Sequence, residues 1–410
     1  MLLKSWLPLL MVVFLLGAFT RQLWPVAFAL AVGAVLAAVE FWKKQSLRAV
    51  TYKRRWTYRR GFPGEMIPVR IETENRKLLP LSWLRVIDPW PLAVGPDDEN
   101  ILGPSHIESQ GELVNLYSLR WYEKITRDYM LRLRQRGVYG VGPAQLASGD
   151  LFGLSESTAE GTEQDLVVVF PDLVELPHFL LLADDPFGDR RTRRRLFEDP
   201  NQPMGVREYH PEDEFRRVHW PATAKTGALQ VKVYQPVTAR VMLICLNVST
   251  ASQYWLGVDT DLLEQLVKVC ATLAYHGVQD GYSVGLLSNG CLAHSDQPFR
   301  IDPGRSTEQL ARLLQALAAV TSFTSAPFER YLISSLPKVP YGATLVIVTG
   351  LVTPDLVDSL VQLKRYRAHT MLISLEKEAP PEIPGVRLFH LPFEQKGKTR
   401  SPFPPTLRCA

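Results

Sequence analysis

The sequence predicts an α/β protein in three parts: a two-helix transmembrane hairpin, a β-sandwich-like domain, and a doubly wound, mostly parallel sheet. Three observations carry this. Two apolar runs stand back to back at the start, a region of period-two alternation follows, and then compact apolar strands alternate with helical repeats.

The apolar runs are Leu2–Thr20 and Leu23–Trp42, separated only by Arg21 and Gln22, and they define a hairpin over residues 1–42. Each matches the ~20 residues a helix needs to cross a hydrocarbon core of about 30 Å. Trp6, Trp24 and Trp42 fall at interface depths, where indole rings are favoured. Pro25 sits near the start of the second helix, where its missing N–H costs little. A cleaved signal peptide fits poorly, because the second run begins too soon and Gly17-Ala18-Phe19-Thr20 is a poor small-x-small site. From Lys43 to Arg60 there are eight Lys/Arg and no Asp or Glu, against Arg21 alone at the far turn. Basic residues beside a span stay inside, so the expectation is a two-pass protein of the cell membrane with both termini and its soluble body in the cytoplasm.

Of the formal charge of +4, the basic juxtamembrane segment 43–60 carries +8 and residues 1–42 carry +1, leaving −5 on the remainder. The bilayer is therefore the expected partner of the basic segment, at ~1 kcal/mol per basic residue near anionic headgroups. A nucleic-acid role needs basic charge on the folded body, and none is expected. Cys245, Cys270, Cys291 and Cys409 have no metal-type spacing, which fits a reducing compartment rather than a disulfide framework.

Residues 61–175 are expected to form the β-rich domain, with strand character from about Val50. Ile67, Val69, Ile71 and Thr73 alternate with Pro68, Arg70, Glu72 and Glu74, a period that buries one face. Tyr129, Leu131 and Leu133 repeat the pattern, and short apolar runs recur at Trp83–Ile87, Leu113–Leu119 and Leu166–Phe170. Residues 176–204 form an arginine-rich linker with Arg190, Arg191, Arg193, Arg194 and Arg195 among Asp184, Asp185, Asp189, Glu198 and Asp199. It reads either as a docking patch for acidic partners or as a self-neutralised solvated loop.

Beyond Arg240 the period changes. Val241–Leu246 suits a strand buried on both faces. Leu262, Leu263, Leu266, Val267, Cys270 and Leu273 recur at helical spacing up to Gly277, read as a C-terminal stop. Tyr282–Leu287 is a second strand. Ser306 and Gln309 form a capping box before the stripe Leu310, Leu313, Leu314 and Leu317. Thr344–Val348 is another strand. A helix from Thr353 to Arg367 has Pro354 at its first position. Thr370–Ser374 and Val386–His390 complete the sheet, and residues 393–410 read as a disordered tail.

The densest motif runs from Gly205 to Trp220, continuing through Ala224-Lys225 to Lys232. Arg207, Tyr209, Asp213, Arg216 or Arg217, and Trp220 resemble the core of the bacterial family known as domain of unknown function 58, approximately Arg-x-Tyr-x-x-Gly-Asp-x-x-Arg-x-Ile-x-Trp. Glu212, Val218 and Lys225 depart from it, standing where that family has glycine, isoleucine and arginine. Arg136-Gly137-Val138-Tyr139, Asp150-Leu151-Phe152-Gly153-Leu154 and Val169-Phe170-Pro171 add to the resemblance. It implies that the motif segment and sheet (205–392) form a von Willebrand factor A-like domain. It also implies a MoxR-type AAA+ ATPase, or a client protein, as partner, and no enzymatic activity.

From residue chemistry, Asp213 is expected to pair with Arg216 or Arg217. Tyr209, His219, Trp220, Lys225 and Lys232 complete a face that serves either as a structural latch or as a partner surface. A metal-dependent hydrolase using Asp213 and His219 is the alternative reading, although no His-Glu-x-x-His spacing supports it. The resemblance also points to a metal loop after the first parallel strand. Asn247, Ser249 and Ala251 stand there without a carboxylate, so a degenerate site and no cofactor are expected. Gly-x-Ser-x-Gly and phosphate-loop signatures are absent.

Overall fold

The computed structural model describes residues 2–149, 156–176, 198–211, 213–236, 241–251, 257–293, 295–339, 343–363 and 369–393. The Asp150–Leu154 motif, the arginine run 190–195 with Asp184, Asp185 and Asp189, Glu212, Cys409 and the chain past Phe393 lie outside them. The chain divides into two compact units, Met1–Asp172 and Leu173–Ala410.

In the first unit, helices α1 (Leu2–Phe19) and α2 (Leu23–Ser46) are joined through Arg21, which takes a left-handed φ of 50°. They pack against each other. Gly17 permits this, since a Cβ there would lie 3.0 Å from the Pro25 side chain. The second helix is long and apolar enough to cross a membrane, while the first contributes a shorter apolar stretch, Pro8–Phe19. α2 runs one turn past Trp42, its expected end. Lys43 and Lys44 occupy that last turn, where cations meet the negative end of the helix dipole.

Among the described residues the strands that follow are β1 (Val50–Trp56), β2 (Arg60–Gly61), β3 (Met66–Asn75), β4 (Leu81–Pro91), β5 (Val94–Pro96), β6 (Leu102–Pro104), β7 (Gln110–Leu119), β8 (Lys124–Leu133), β9 (Gly137–Val141), β10 (Gln145–Gly149), β11 (Glu156–Glu160) and β12 (Asp165–Val169). They form sheets ordered β1-β3-β8-β5, β11-β10-β4-β7-β6 and β2-β12-β9. Ile67, Val69, Ile71, Leu131 and Leu133 from the first sheet meet Trp90 and Leu113 from the second and Val141, Val167 and Val169 from the third. The period-two alternation thus buries the face that the sequence indicates.

The segment 43–60 does not form one basic collar. It is divided between the end of α2 and β1, and Arg54 points into the interior. Its Nη2 lies 2.5 Å from Asp88 Oδ1, and its Nη1 lies 3.1 Å from Asp165 Oδ2. Tyr52 donates its hydroxyl to Asp88 Oδ2 at 2.7 Å, and Arg59 reaches Asp165 Oδ1 at 2.8 Å. Arg54 is pushed up by its hydrogen bonds to Asp88 and by that carboxylate's charge, against the opposing effect of burial.

The second unit opens with a ribbon of β13 (Glu198–Glu208) and β14 (Gln230–Pro236), connected through helix α3 (Trp220–Thr226). Its main sheet holds β15 (Val241–Leu246), β16 (Ser283–Leu292), β17 (Pro298–Gly304), β18 (Val320–Thr324), β19 (Thr344–Thr349), β20 (His369–Ser374) and β21 (Val386–His390). The order is β17-β16-β15-β19-β20-β21, with β18 pairing β16. β15, β16, β19, β20 and β21 run parallel, and β17 and β18 pair antiparallel with β16. From β15 the chain builds one way to β16 and β17, then returns to the other side for β19.

Helices α4 (Thr260–Gln279) and α5 (Thr307–Ala319) pack together, with α4 against the face that carries Met242. On the other face Leu243, Cys245, Leu345 and Ile347 pack with Phe328 and Leu332 of α6 (Phe328–Ser335) and Leu356 and Leu360 of α7 (Pro354–Leu363). Covering on both sides explains why β15 reads as an unbroken apolar run.

Two expected details are corrected. Gly277 does not stop α4; it lies inside the helix, where a Cβ would come within 3.0 Å of Val284. The turn is made by Gly281 at φ +77°. Ser306 does cap α5 by accepting from the Gln309 N–H at 3.1 Å. The Gln309 side chain, however, donates to Val284 O and Asp302 O instead of closing a capping box.

Candidate functional site

Two places in the second unit collect the residues singled out by sequence. The first is the turn from β13 through α3 to β14. Arg207, near the end of β13, grips Asp213 with two parallel bonds, Nη1 to Oδ2 at 2.6 Å and Nη2 to Oδ1 at 2.5 Å. The His210 N–H adds a third at 2.9 Å. Arg207, followed by that backbone bond, holds the Asp213 carboxyl at about 2. The expected pairing of Asp213 with Arg216 or Arg217 does not occur: both face Glu214, at 3.0 and 3.8 Å. Arg216 lies two positions from Glu214, whereas the fork geometry of Arg207 satisfies both Asp213 oxygens from the neighbouring strand.

His219 caps α3, its Nδ1 accepting from the Ala222 N–H at 3.0 Å. Its backbone N–H donates to Gln230 O at 2.7 Å. With Asp213 bound by Arg207 and His219 spent on a helix cap, the two side chains of the hydrolase alternative are each committed to structure. Gly227, at φ +70°, ends the helix and sends its N–H to Thr223 O at 2.9 Å.

The residues that fasten this turn are ones the motif reading missed. Val218 and Val231 are buried and bridge each other, and the buried Gln230 receives and gives bonds at the crossing. Their signal was an apolar residue inside an otherwise polar motif. Trp220, read as part of either a latch or a partner surface, is 60 % exposed, as is Phe215. Tyr209, Phe215 and Trp220 stand in a row, with centroids 6.0 and 6.3 Å apart. Arg216 and Lys225 are exposed on the same turn, and Lys232 is half-buried on β14. Aromatic rows of this kind gain from edge-on contact, and leaving two of the three rings in water forgoes most of their burial energy.

The second place is the crevice beyond the carboxy ends of β15 and β19, where the strand order reverses and ligands bind in open α/β sheets. A cavity of about 350 Å³ is lined there by Asn247, Ser249, Ala251, Phe328, Glu329 and Thr353, among others. Buried Asn247 donates from Nδ2 to Thr349 Oγ1 at 3.1 Å and accepts from the Ser249 N–H at 3.0 Å. Asn289 accepts from the Val248 N–H at 2.9 Å and donates to Ser249 Oγ at 3.2 Å. Thr353 donates to Glu329 Oε1 at 2.9 Å. The residues expected to be a degenerate metal loop are thus converged, but as amide stitches between loops. An aspartate could not make the Asn247 donation to Thr349. Among the described residues, no group of three or more His, Cys, Asp and Glu side chains comes together. Asn289 had no sequence signal, because an amide inside a strand acquires its role only from the loop opposite.

Residues 205–401 match the family described as Protein of unknown function DUF58. The resemblance extends upstream in one relative, the uncharacterized protein YeaD of Bacillus subtilis strain 168, which is 22 % identical over 318 residues, covering 77 % of this chain and 73 % of YeaD. Among solved structures, the CARDB domain of the PF1109 protein from Pyrococcus furiosus aligns at TM-score 0.20 and 10 % identity, covering 29 % of this chain and 91 % of its own. Spo0M, a sporulation control protein from Bacillus subtilis, aligns at TM-score 0.19 and 12 % identity, covering 30 % and 50 %. Superpositions at such scores carry no argument. Within the DUF58 segment, both the aromatic row and the crevice belong to the matched residues.

Proposed function

We propose that the chain is a membrane-tethered, non-enzymatic interaction protein. In this reading the apolar helices form a two-pass anchor with both termini in the cytoplasm. The second unit serves as a von Willebrand factor A-like module for a MoxR-type AAA+ ATPase or its client protein. The observation that carries the reading is the row Tyr209–Phe215–Trp220, with Phe215 and Trp220 exposed to solvent on a turn that the Arg207–Asp213 fork ties down. Aromatic and arginine side chains dominate interface hot spots, and an ordered apolar surface of this kind gains most when a partner covers it. The strand order of the main sheet supports the A-like reading, and the neutral amides of its crevice support a role without metal chemistry. A tether raises the effective concentration of the module near other membrane components.

The test is purification of the full chain from crosslinked membranes in detergent, beside the double variant F215A/W220A. The expected result is an AAA+ ATPase recovered with the wild type and lost with the variant, at unchanged melting temperature. Recovery of no ATPase from either would overturn the partnership. Protease added outside intact cells should spare the body of the protein, and its digestion would overturn the orientation.

A further inference from the structure

The first unit holds an exposed apolar group that the adaptor reading leaves unused. Of two loops in the β-rich part, 76–80 between β3 and β4 is bound to the end of α2, and 120–123 between β7 and β8 is bound to the first. Lys77 Nζ donates to Ser46 O and, at 2.8 Å, to Arg48 O. The Arg76 N–H donates to Ala49 O at 2.9 Å, and the Tyr122 N–H donates to Lys77 O at 3.3 Å. Buried Asn75 staples the pair, giving Nδ2 to Leu79 O at 3.0 Å and to Arg120 O at 2.8 Å. Beneath them, Leu47 packs against the cluster of Leu81, Leu84 and Tyr117. The loops therefore stay at the level where α2 ends.

On these loops Leu78 is 74 %, Trp121 62 % and Tyr122 65 % exposed. Tyr122 and Ala49 both hold left-handed backbone, at φ 53° and 54°, a conformation non-glycine residues adopt at a cost. Basic side chains lie on the same segments, Lys43 and Lys44 in the last turn of α2 and exposed Arg48, Arg76 and Arg120, with Arg76 paired to Glu74 at 2.8 Å and Glu123 accepting the Arg120 N–H at 2.6 Å.

We propose that loops 76–80 and 120–123 are a second membrane contact, placing Leu78, Trp121 and Tyr122 in the headgroup layer of an anionic bilayer beside the exit of α2. The inference rests on α2 crossing that bilayer. A helix rising ~1.5 Å per residue spends about 20 residues on the hydrocarbon core, which brings Trp42 to its edge. Ser46 then lies roughly 6 Å farther out, inside a headgroup layer about 5–7 Å deep. Tryptophan and tyrosine favour that layer, leucine inserts beneath it, and the basic side chains meet lipid phosphate. A rigid second contact fixes the angle at which the β-rich unit stands on the membrane.

The test uses the full chain in a C409S background, since Cys245, Cys270 and Cys291 are buried. Single cysteines at Val35, Leu78, Trp121 and Ile107 are labelled with an environment-sensitive fluorophore. Ile107 is the control, beyond the far end of β7 from loop 120–123. The chain is reconstituted into phosphatidylcholine–phosphatidylglycerol vesicles containing spin-labelled lipid. The expected result is quenching at Val35 by mid-chain labels, quenching at Leu78 and Trp121 by headgroup-level labels with blue-shifted emission, and none at Ile107. Omitting phosphatidylglycerol should reduce the quenching at Leu78 and Trp121 while leaving Val35 unchanged. If Leu78 and Trp121 behave like Ile107 while Val35 is quenched, this inference is overturned and the tether stands. If Val35 is not quenched, the tether reading itself falls.

Discussion

In the first unit Arg54 is buried with its charge intact, gripped by Asp88 and Asp165 while Tyr52 donates to Asp88. At comparable depth in the second unit, the loops above the sheet are stitched by Asn247, Asn289 and Thr349, none of which ionises near neutral pH. Both arrangements satisfy buried polar groups, but they differ in what removing one member leaves behind. A broken ion triad strands a charge in low dielectric, whereas a broken amide stitch strands a dipole. The β-rich unit should therefore be brittle at one point and the crevice more tolerant.

The largest expected effect is that of Arg54→Met. Asp88 would remain buried without its guanidinium, at a cost of about 3–5 kcal/mol, read from urea unfolding of the full chain in detergent. A loss below about 1 kcal/mol, the scale of an exposed pair, would remove the contrast between the units. Asn247→Asp comes next, losing the donation to Thr349 and costing about 1–3 kcal/mol in the same measurement. Stabilisation of that variant by added Mg²⁺ would sharpen the comparison, because it would show that a single carboxylate is what the crevice lacks.

Asp213→Asn should have the smallest effect, since the pair with Arg207 is partly solvated. Its sign with pH is definite. Asp213 is held at about 2, below its ordinary value of 3.8, so its contribution is complete above pH ~4 and fades as pH falls toward 2. Melting curves of the wild type and the variant should converge over that interval. Curves that stay parallel would show that the carboxylate gains nothing from the fork.

Much of the sheet was legible in sequence because its signals are local. Val241–Leu246 and Val386–His390 are strands with the expected ends, and the apolar stripe of α4 is the buried one. The antiparallel strand Pro298–Gly304 and helix Phe328–Ser335 gave no such signal. Each owes its conformation to the sheet beside it. Of the candidate site, the motif was recognised as a face, but its wiring was not. Asp213 chose Arg207 over the nearer arginines because the antiparallel ribbon brings the start of the turn back beside it.

Sequence alone determined the order of parts, the apolar helix, the faces of the strands and the DUF58 resemblance, because hydrophobic period and motif spacing are properties of neighbouring residues. Tertiary structure decided which charges and amides meet. Arg54 and Asp165 lie 111 positions apart, and Asn247 and Thr349 lie 102 apart. Whether such groups are solvated, paired or stranded depends on the packing that surrounds them, and no local pattern encodes it.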